Sequence, residues 1–414
     1  MALTALYVHV PFCAQKCRYC DFDSKAVAPR ERGVAMDRYF EQLGERLERV
    51  ARVGALDGIE TVYIGGGTPT LAGQRLVRLA KRIVELCHPA EFTCEANPES
   101  IDAALALELS RAGVTRVSIG VQSLDPSELL AIGRIHTAER ALLAINDARC
   151  AGLDVSCDLM CGLPGQTASS WDDTLQGILD ARPHHISVYP LTLEEGTPLY
   201  RAAHLDCSLE PDEDFQADCM DRARKLFLAA GYEPYEVASY AQAEHACRHN
   251  MAYWTGRGYL GLGRSAAGML DRDDFDRLAA LFPGVVAPPE AARVRLVQLD
   301  DAAARFEAEF LSEREAICED LMLACRMTRG ITGSLLVRAG RILSTQTLGD
   351  ACDQAIDLGL ASWVTTRPDI DRTSILSKDV IEGRIVANLA PTHLGWLEGN
   401  VLFELFWDLH EHLV

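Results

Sequence analysis

The sequence predicts an α/β fold: a partial (β/α)6 barrel followed by an accessory α+β region and a helical C-terminal domain. Two observations carry this. Up to about residue 205, short apolar runs bounded by turn residues alternate with longer amphipathic stretches, the pattern of βα units that pair into a parallel sheet. Each run also ends in a polar or glycine-rich motif, as strands do where their C-terminal ends build a site. Six units are fewer than the eight that close a TIM barrel, so the sheet is expected to stay open.

In order, the strands are expected at Leu6–Val10, Thr61–Ile64, Glu91–Glu95, Arg116–Gly120, Val155–Met160 and His185–Tyr189. Thr61–Ile64 and Val117–Ile119 are short apolar runs between turn residues, as strands covered on both faces tend to be. The intervening helices fall at Met36–Val53, Gln74–Leu86, Asp102–Arg111, Ala138–Ala151 and Ser170–Ala181. Residues 1–205 thus form the barrel. Residues 206–298 form the accessory region: an amphipathic helix over Asp212–Ala230 stopped by Gly231, then Tyr232–Met269, rich in glycine and aromatics and read as strands and loops closing against the barrel. Asp271–Leu299, with Pro283, Pro288 and Pro289, reads as an irregular surface run. Residues 299–414 form the third domain, with helices at Glu313–Met327, Ser334–Ala339 and Thr347–Leu358, two short strands at Ala361–Thr365 and Thr373–Leu376, and a tail helix at Leu402–Leu413. Helices followed by a small hairpin suggest a winged-helix-like unit. It has no basic run, so it reads as a packing or partner-binding module. No internal repeat or low-complexity segment is evident.

The formal net charge of −20 argues against a nucleic-acid-binding surface while leaving room for a locally basic pocket. Residues 1–12 carry no basic leader and no apolar run reaches the length of a membrane span, so a cytoplasmic protein is expected. Fourteen cysteines imply a reducing compartment, and most of them, Cys157 and Cys161 included, read as small core residues.

Three cysteines are different. Cys13, Cys17 and Cys20 stand in Tyr-Val-His-Val-Pro-Phe-Cys-Ala-Gln-Lys-Cys-Arg-Tyr-Cys, a C-x3-C-x2-C spacing with no fourth ligand nearby. A tetrahedral zinc site usually wants four ligands. Three thiolates suit three irons of a [4Fe–4S] cube, leaving the fourth open to a ligand; a zinc site completed from afar, or plain buried thiols, are the alternatives. The second strand ends in Gly65-Gly66-Gly67-Thr68-Pro69, which lets backbone approach a ligand and expose N–H groups to it, or which serves tight strand–helix packing. The third ends in Glu95-Ala96-Asn97-Pro98, a carboxylate for an amine or ribose hydroxyl, or a solvated helix-start acid. The fourth ends in Gly120-Val121-Gln122-Ser123 and leads to Arg134, a carboxylate clamp or one more surface arginine. Asp158 lies inside an otherwise apolar strand and needs a partner, so it is expected to face a ligand.

Together these motifs resemble the coproporphyrinogen-dehydrogenase-like branch of the radical S-adenosylmethionine (SAM) superfamily, and within it the HemW-type haem chaperones. The runs are Y-V-H-V-P-F-C-x3-C-x2-C-D-F, I-G-G-G-T-P-T-L, E-A-N-P-E, S-I-G-V-Q-S, I-G-R-I-H, D-L-M-x-G-L-P-G-Q-T and C-R-H-N-M-A-Y-W. The resemblance implies a radical SAM barrel in which Cys13, Cys17 and Cys20 ligate a [4Fe–4S] cluster and Tyr7, Gly66 and Glu95 contact SAM on the open iron. Tyr19, Gly67, Thr68, Gln122, Arg134 and Asp158 fall where the porphyrinogen enzyme of the branch holds a second SAM. Two departures matter. Phe22 stands where that enzyme has a further cysteine, which favours the chaperone type. In Gly261-Leu-Gly-Arg-Ser-Ala-Ala-Gly268, Arg264 and Ala267 replace a cysteine and a histidine frequent among the chaperones.

His249, in His-Asn-Met-Ala-Tyr-Trp, is suited to hold a flat iron macrocycle, imidazole as axial ligand and aromatic rings as apolar faces; the alternative is a core histidine packed on Tyr253 and Trp254. His9 reads as a hydrogen-bonded wall residue. The leading functional expectation is a protein that binds haem and hands it to an acceptor protein. The others are an oxygen-independent coproporphyrinogen III oxidase, and a radical SAM methyltransferase or haem-opening enzyme.

Overall fold

The structure is a computed structural model that describes residues 3–367 and 371–411. β1 (Leu3–Val10) runs into the cysteine loop, where β2 (Phe12–Cys13) pairs with β3 (Lys25–Ala26). Strand and helix then alternate: α1 (Pro29–Arg52), β4 (Thr61–Gly66), α2 (Gln74–Cys87), β5 (Glu91–Ala96), α3 (Ala103–Arg111), β6 (Arg116–Gln122), α4 (Pro126–Ala131), α5 (Ala138–Cys150), β7 (Asp154–Cys161), α6 (Ala168–Ala181) and β8 (His185–Pro190). The helices start where capping residues follow the strands. Asp102 accepts from the Leu105 N–H, Thr137 from Arg140, and Thr167 with Ser170 completes a capping box.

β1, β4, β5, β6, β7 and β8 are parallel neighbours in that order, the six barrel strands expected from the sequence. Their register aligns side chains in cross-strand rows. Tyr63, Thr93 and Arg116 share one row; Glu95, Ser118, Ser156 and His185 the next; Gly120, Asp158 and Ser187 the one above. Successive rows two residues apart face the same side of a sheet. The alternate residues, among them Cys94, Val117, Ile119, Cys157, Leu159, Ile186 and Val188, are fully buried.

The sheet stays open and extends at both edges. Beyond β8 lie β10 (Ser239–Ala241) and β9 (Glu233–Pro234), both antiparallel additions. Beyond β1 lies β11 (Gly258–Leu262), parallel to it, and then β12 (Ala267–Asp271), β13 (Arg293–Gln298) and β14 (Phe306–Leu311), antiparallel in turn. α7 (Pro198–Ala203), α8 (Glu213–Ala229), α9 (Arg248–Trp254) and α10 (Arg272–Leu278) connect these pieces. A single apolar cluster runs from Leu3 to Leu296, so residues 206–298 pack as an extension of the barrel.

Several local expectations are corrected. Asp271–Leu299 is not an irregular surface run: it holds α10 and β13, and the prolines fall in the loop between them. β13 alternates half-buried Arg293, Arg295 and Val297 with buried Val294, Leu296 and Gln298, the two-residue period of a strand with one face on the core. The boundary expected at 299 falls inside the β13–β14 hairpin, both strands of which belong to the large sheet. The helices that follow, α11 (Glu313–Ala324), α12 (Gly333–Ala339) and α13 (Thr345–Asp357), build a separate apolar cluster from Ile317 to Leu409. β15 (Ala361–Val364) pairs not with Thr373–Leu376, where Arg372–Ser374 form a 3-10 turn, but with β16 (Asn388–Pro391), after α14 (Ser377–Ile381). The tail helix spans Gly399–Trp407; residues 412–414, in which its expected end lies, are outside the described residues.

The sheet edge and the C-terminal helices meet at a buried ion cluster. Arg293 of β13 donates both Nη atoms to the two Asp320 oxygens of α11, each at 2.7 Å, and Arg338 of α12 donates to Asp320 Oδ2. The Asp320 side chain is 4% exposed and that of Arg293 12% exposed. Removing one partner of such a pair leaves a desolvated charge. Asp320→Ala is therefore expected to lower unfolding free energy by about 3 kcal/mol in denaturant titrations, while Arg338→Ala, removing the more exposed partner, falls well short of that.

Candidate functional site

The C-terminal ends of the parallel strands and the cysteine loop surround a cavity of about 340 Å³. Cys13, Cys17, Tyr19, Cys20, Gly66, Gly67, Thr68, Glu95, Gln122, Arg134 and Asp158 all line it; Tyr7 and His249 do not.

The cysteine loop is built against the glycines that follow β4. A Cβ on Gly67 would lie 2.6 Å from the Phe12 carbonyl oxygen and 2.9 Å from Cys13 Sγ, so only glycine lets the two loops touch. The N–H groups of this loop are not offered to the cavity, contrary to the sequence expectation. Gly66 donates to Glu95 Oε2 at 3.0 Å, Gly67 to the Val10 carbonyl at 2.9 Å and Thr68 to the Phe12 carbonyl at 2.7 Å. What remains for a ligand on this wall is acceptor oxygen, which suits an ammonium better than an anion. Cys13 is buried and Cys17 and Cys20 half-buried. Burial pushes the Cys13 and Cys20 thiols up from their ordinary values. Arg134 donates from Nη1 to Cys17 Sγ at 3.5 Å and from Nη2 to Asn97 Oδ1 at 2.9 Å and to the Gly120 carbonyl.

Two acids stand in the wall. Glu95 accepts from the Tyr63 hydroxyl at 2.9 Å as well as from Gly66, yet burial pushes its carboxyl up to about 7. Asp158 accepts from Ser118 Oγ at 2.9 Å, and burial again pushes it up to about 6. Gln122 ends β6 at φ 68°, a left-handed conformation costing a non-glycine residue about 1–3 kcal/mol. Its side chain folds over Gly120, where a Cβ would meet Gln122 Nε2 at 2.9 Å and Arg134 Nη2 at 3.0 Å. Such strain at a strand end is a site signature.

Two residues expected at a ligand lie outside the cavity lining. The Tyr7 ring stacks on Tyr63 with centroids 6.3 Å apart, and its hydroxyl is hydrogen-bonded to His9 Nδ1 at 3.0 Å; Tyr63 stands in the cavity wall instead. His9, read as a wall residue, has its other ring nitrogen against the Asp23 carbonyl. His249 is fully buried, with Nδ1 against Thr61 Oγ1 and Nε2 against the Tyr253 hydroxyl, both at 2.9 Å. Both nitrogens are spoken for, and burial lowers its pKa to about 3. Its packing against Thr61 and Tyr253 is that of a core histidine. Its neighbours Cys247 and Asn250 reach the cavity instead. Arg116, His185 and Tyr189 also line the cavity and were not singled out from the sequence. The signal was present as polar residues at two-residue intervals within the strands: Arg116 and Ser118, Ser156 and Asp158, His185, Ser187 and Tyr189.

Residues 7–178 match the radical SAM superfamily. The chain is 37% identical over 275 residues to the heme chaperone HemW of Escherichia coli (strain K12), an alignment covering 65% of this chain and 71% of that protein. The chain belongs to the HemW family of radical SAM proteins. It is also 37% identical over 269 residues to the mitochondrial radical S-adenosyl methionine domain-containing protein 1 of Bos taurus, covering 64% of this chain and 60% of the relative. Beyond the HemW family, the fold is shared with the coproporphyrinogen III oxidase HemN of Escherichia coli at 20% identity and a TM-score of 0.72, over 98% of this chain and 90% of HemN. Superfamily membership implies a [4Fe–4S] cluster and SAM. The donor set fits a cluster: three thiols line one cavity, with a guanidinium beside one sulfur. Among the described residues no helix is long and apolar enough to cross a membrane.

His249→Ala removes a buried ring and strands two hydroxyls, so a loss of about 2–4 kcal/mol in unfolding free energy is expected. The absorption bands of added haem should keep their positions in that variant; shifted bands with unchanged stability would make His249 a ligand after all.

Proposed function

We propose that this chain is a haem chaperone: it carries a [4Fe–4S] cluster and SAM, binds haem, and passes it to an acceptor protein in a reducing, cytoplasm-like compartment. The observation that carries this is the 37% identity to a protein named a heme chaperone, across 71% of its length. Phe22 supports it. Where the porphyrinogen enzyme of the branch has a cysteine, this chain sets an apolar ring, 58% exposed, on the rim of the cavity.

In this reading Cys13, Cys17 and Cys20 hold the cluster, which when bound supplies an electron and an open iron for SAM. The remaining work falls to the chain. Arg134, with its charge beside Cys17, offsets the negative thiolates. Gly66 orients Glu95 through its N–H, and Glu95 accepts from the SAM ammonium or ribose. Tyr19, Gly67, Thr68, Gln122 and Asp158 shape the adjoining space and exclude water from it.

The pH dependence follows with a definite sign. Burial raises Glu95 to about 7, so its carboxyl is neutral below that and an acceptor above it. SAM affinity of the reconstituted protein, measured by calorimetry, is expected to rise as pH increases through about 7, by roughly tenfold per unit on the acid side. Glu95→Gln should bind weakly and without that slope.

The functional reading is tested by loading the reconstituted protein with haem and adding apomyoglobin, following the haem absorption, with a parallel incubation of coproporphyrinogen III, SAM and dithionite read by mass spectrometry. Haem transfer with an unchanged porphyrinogen is the expected result. Formation of protoporphyrinogen, or no haem binding by a sample with an intact cluster, would overturn it.

A further inference from the structure

At the floor of the cavity, away from the cysteines, stands a guanidinium without an ion-pair partner among the described residues. Arg116 opens β6 and is 3% exposed. Its Nη1 donates to the His245 carbonyl at 2.8 Å and its Nη2 is buried without a hydrogen-bond partner, while the residue as a whole is among those that line the cavity. Among the described residues no carboxylate forms an ion pair with it; Asp158, further up the cavity, feels its charge from a distance. Asp158, in the row above Ser156, is held by Ser118 Oγ at 2.9 Å. His185, beside Ser156 on the floor, brings no negative charge: its Nδ1 meets Ser156 Oγ at 2.7 Å and its Nε2 the Tyr235 hydroxyl at 2.9 Å. Asn250 adds an amide to the same floor.

A guanidinium taken out of water without an opposite charge is unfavourable, and a planar carboxylate is the group whose geometry matches its fork. From Arg116 to Gln122 the strand runs about 20 Å, so the floor is well separated from the strand ends at the cysteine loop. We propose that Arg116, with Asn250, forms an anion subsite at the barrel floor that receives an aliphatic carboxylate of a ligand. That carboxylate comes either from the propionate arm of a tetrapyrrole lying over the cavity or from a free small acid. The subsite stands whether or not the chain carries haem.

The test uses the cluster-reconstituted, SAM-bound protein and ligand-observed NMR, with sodium propionate as probe and propionamide as its neutral isostere. Propionate is expected to bind and propionamide not. Arg116→Gln should weaken propionate at least tenfold, and Arg116→Lys should recover part of that loss, with iron content and SAM binding unchanged. If Arg116→Gln loses iron, Asn250→Leu, which fills the same floor, is used in its place and should also abolish propionate binding. Equal binding of propionate and propionamide, no binding of propionate, or binding unaffected by these substitutions overturns the subsite. Haem and its dimethyl ester then separate the two sources. Tighter binding of the free diacid, lost in Arg116→Gln, assigns the carboxylate to a tetrapyrrole arm, and equal binding of both assigns it to a free acid.

Discussion

The parallel register of β5 to β8 is the constraint on which the site depends. It puts Glu95, Ser118, Ser156 and His185 in one row and Asp158 and Ser187 in the next, all toward the cavity. A slip of one residue in any strand would turn its polar set into the helix layer and its apolar set into the cavity. The register is held from the outside: Val117, Ile119, Cys157, Leu159, Ile186 and Val188 are fully buried, and exposing that face would forfeit their burial. The chemistry inside the barrel is therefore positioned by hydrophobic packing on the opposite face.

A second coupling joins that frame to the cysteine loop. Glu95 receives the Gly66 N–H, Gly67 is closed on the Phe12 carbonyl and Cys13 Sγ, and Thr68 donates to Phe12 while its hydroxyl accepts from Asn97. Arg134 ties Cys17 to Asn97 and Gly120. Glu95 and the cysteine loop are thus parts of one hydrogen-bonded unit. Displacing either would move the other, which gives the glycines a structural reason for their place in addition to any ligand contact.

What was legible in the sequence was local. The six strands could be read because each is a compact apolar run between turn residues, and the cysteine, glycine and Glu95 motifs could be placed because they sit at strand ends. Features set by distant partners could not. His249 has a ligand's chemistry in sequence, but Thr61, 188 positions away, occupies one of its nitrogens. Tyr7 was expected at the ligand, yet the stacking of Tyr63 from the neighbouring strand takes its place in the wall. β13 was hidden by the prolines before it, and β16 by its separation from β15, with α14 between them. Arg116 reads in the sequence only as the start of a strand, although its two-residue spacing from Ser118 places both on the inward face.

The charge of the chain and the charge of its cavity are separate matters. The formal net charge is −20, and that excess of acid describes the surface met by solvent. Inside, Arg134 stands beside the cysteine loop and Arg116 at the floor, while burial raises the two intervening carboxyls, Glu95 to about 7 and Asp158 to about 6. Near neutral pH those acids stand close to the midpoint between charge and neutrality. The cavity is consequently far less acidic than the molecule around it. An anionic ligand crossing an acidic surface finds two fixed cations within, and a ligand ammonium finds acids ready to ionise against it. The balance of charge inside the barrel is thus set by the placement of two arginines and the burial of two acids, and not by the net charge of the chain.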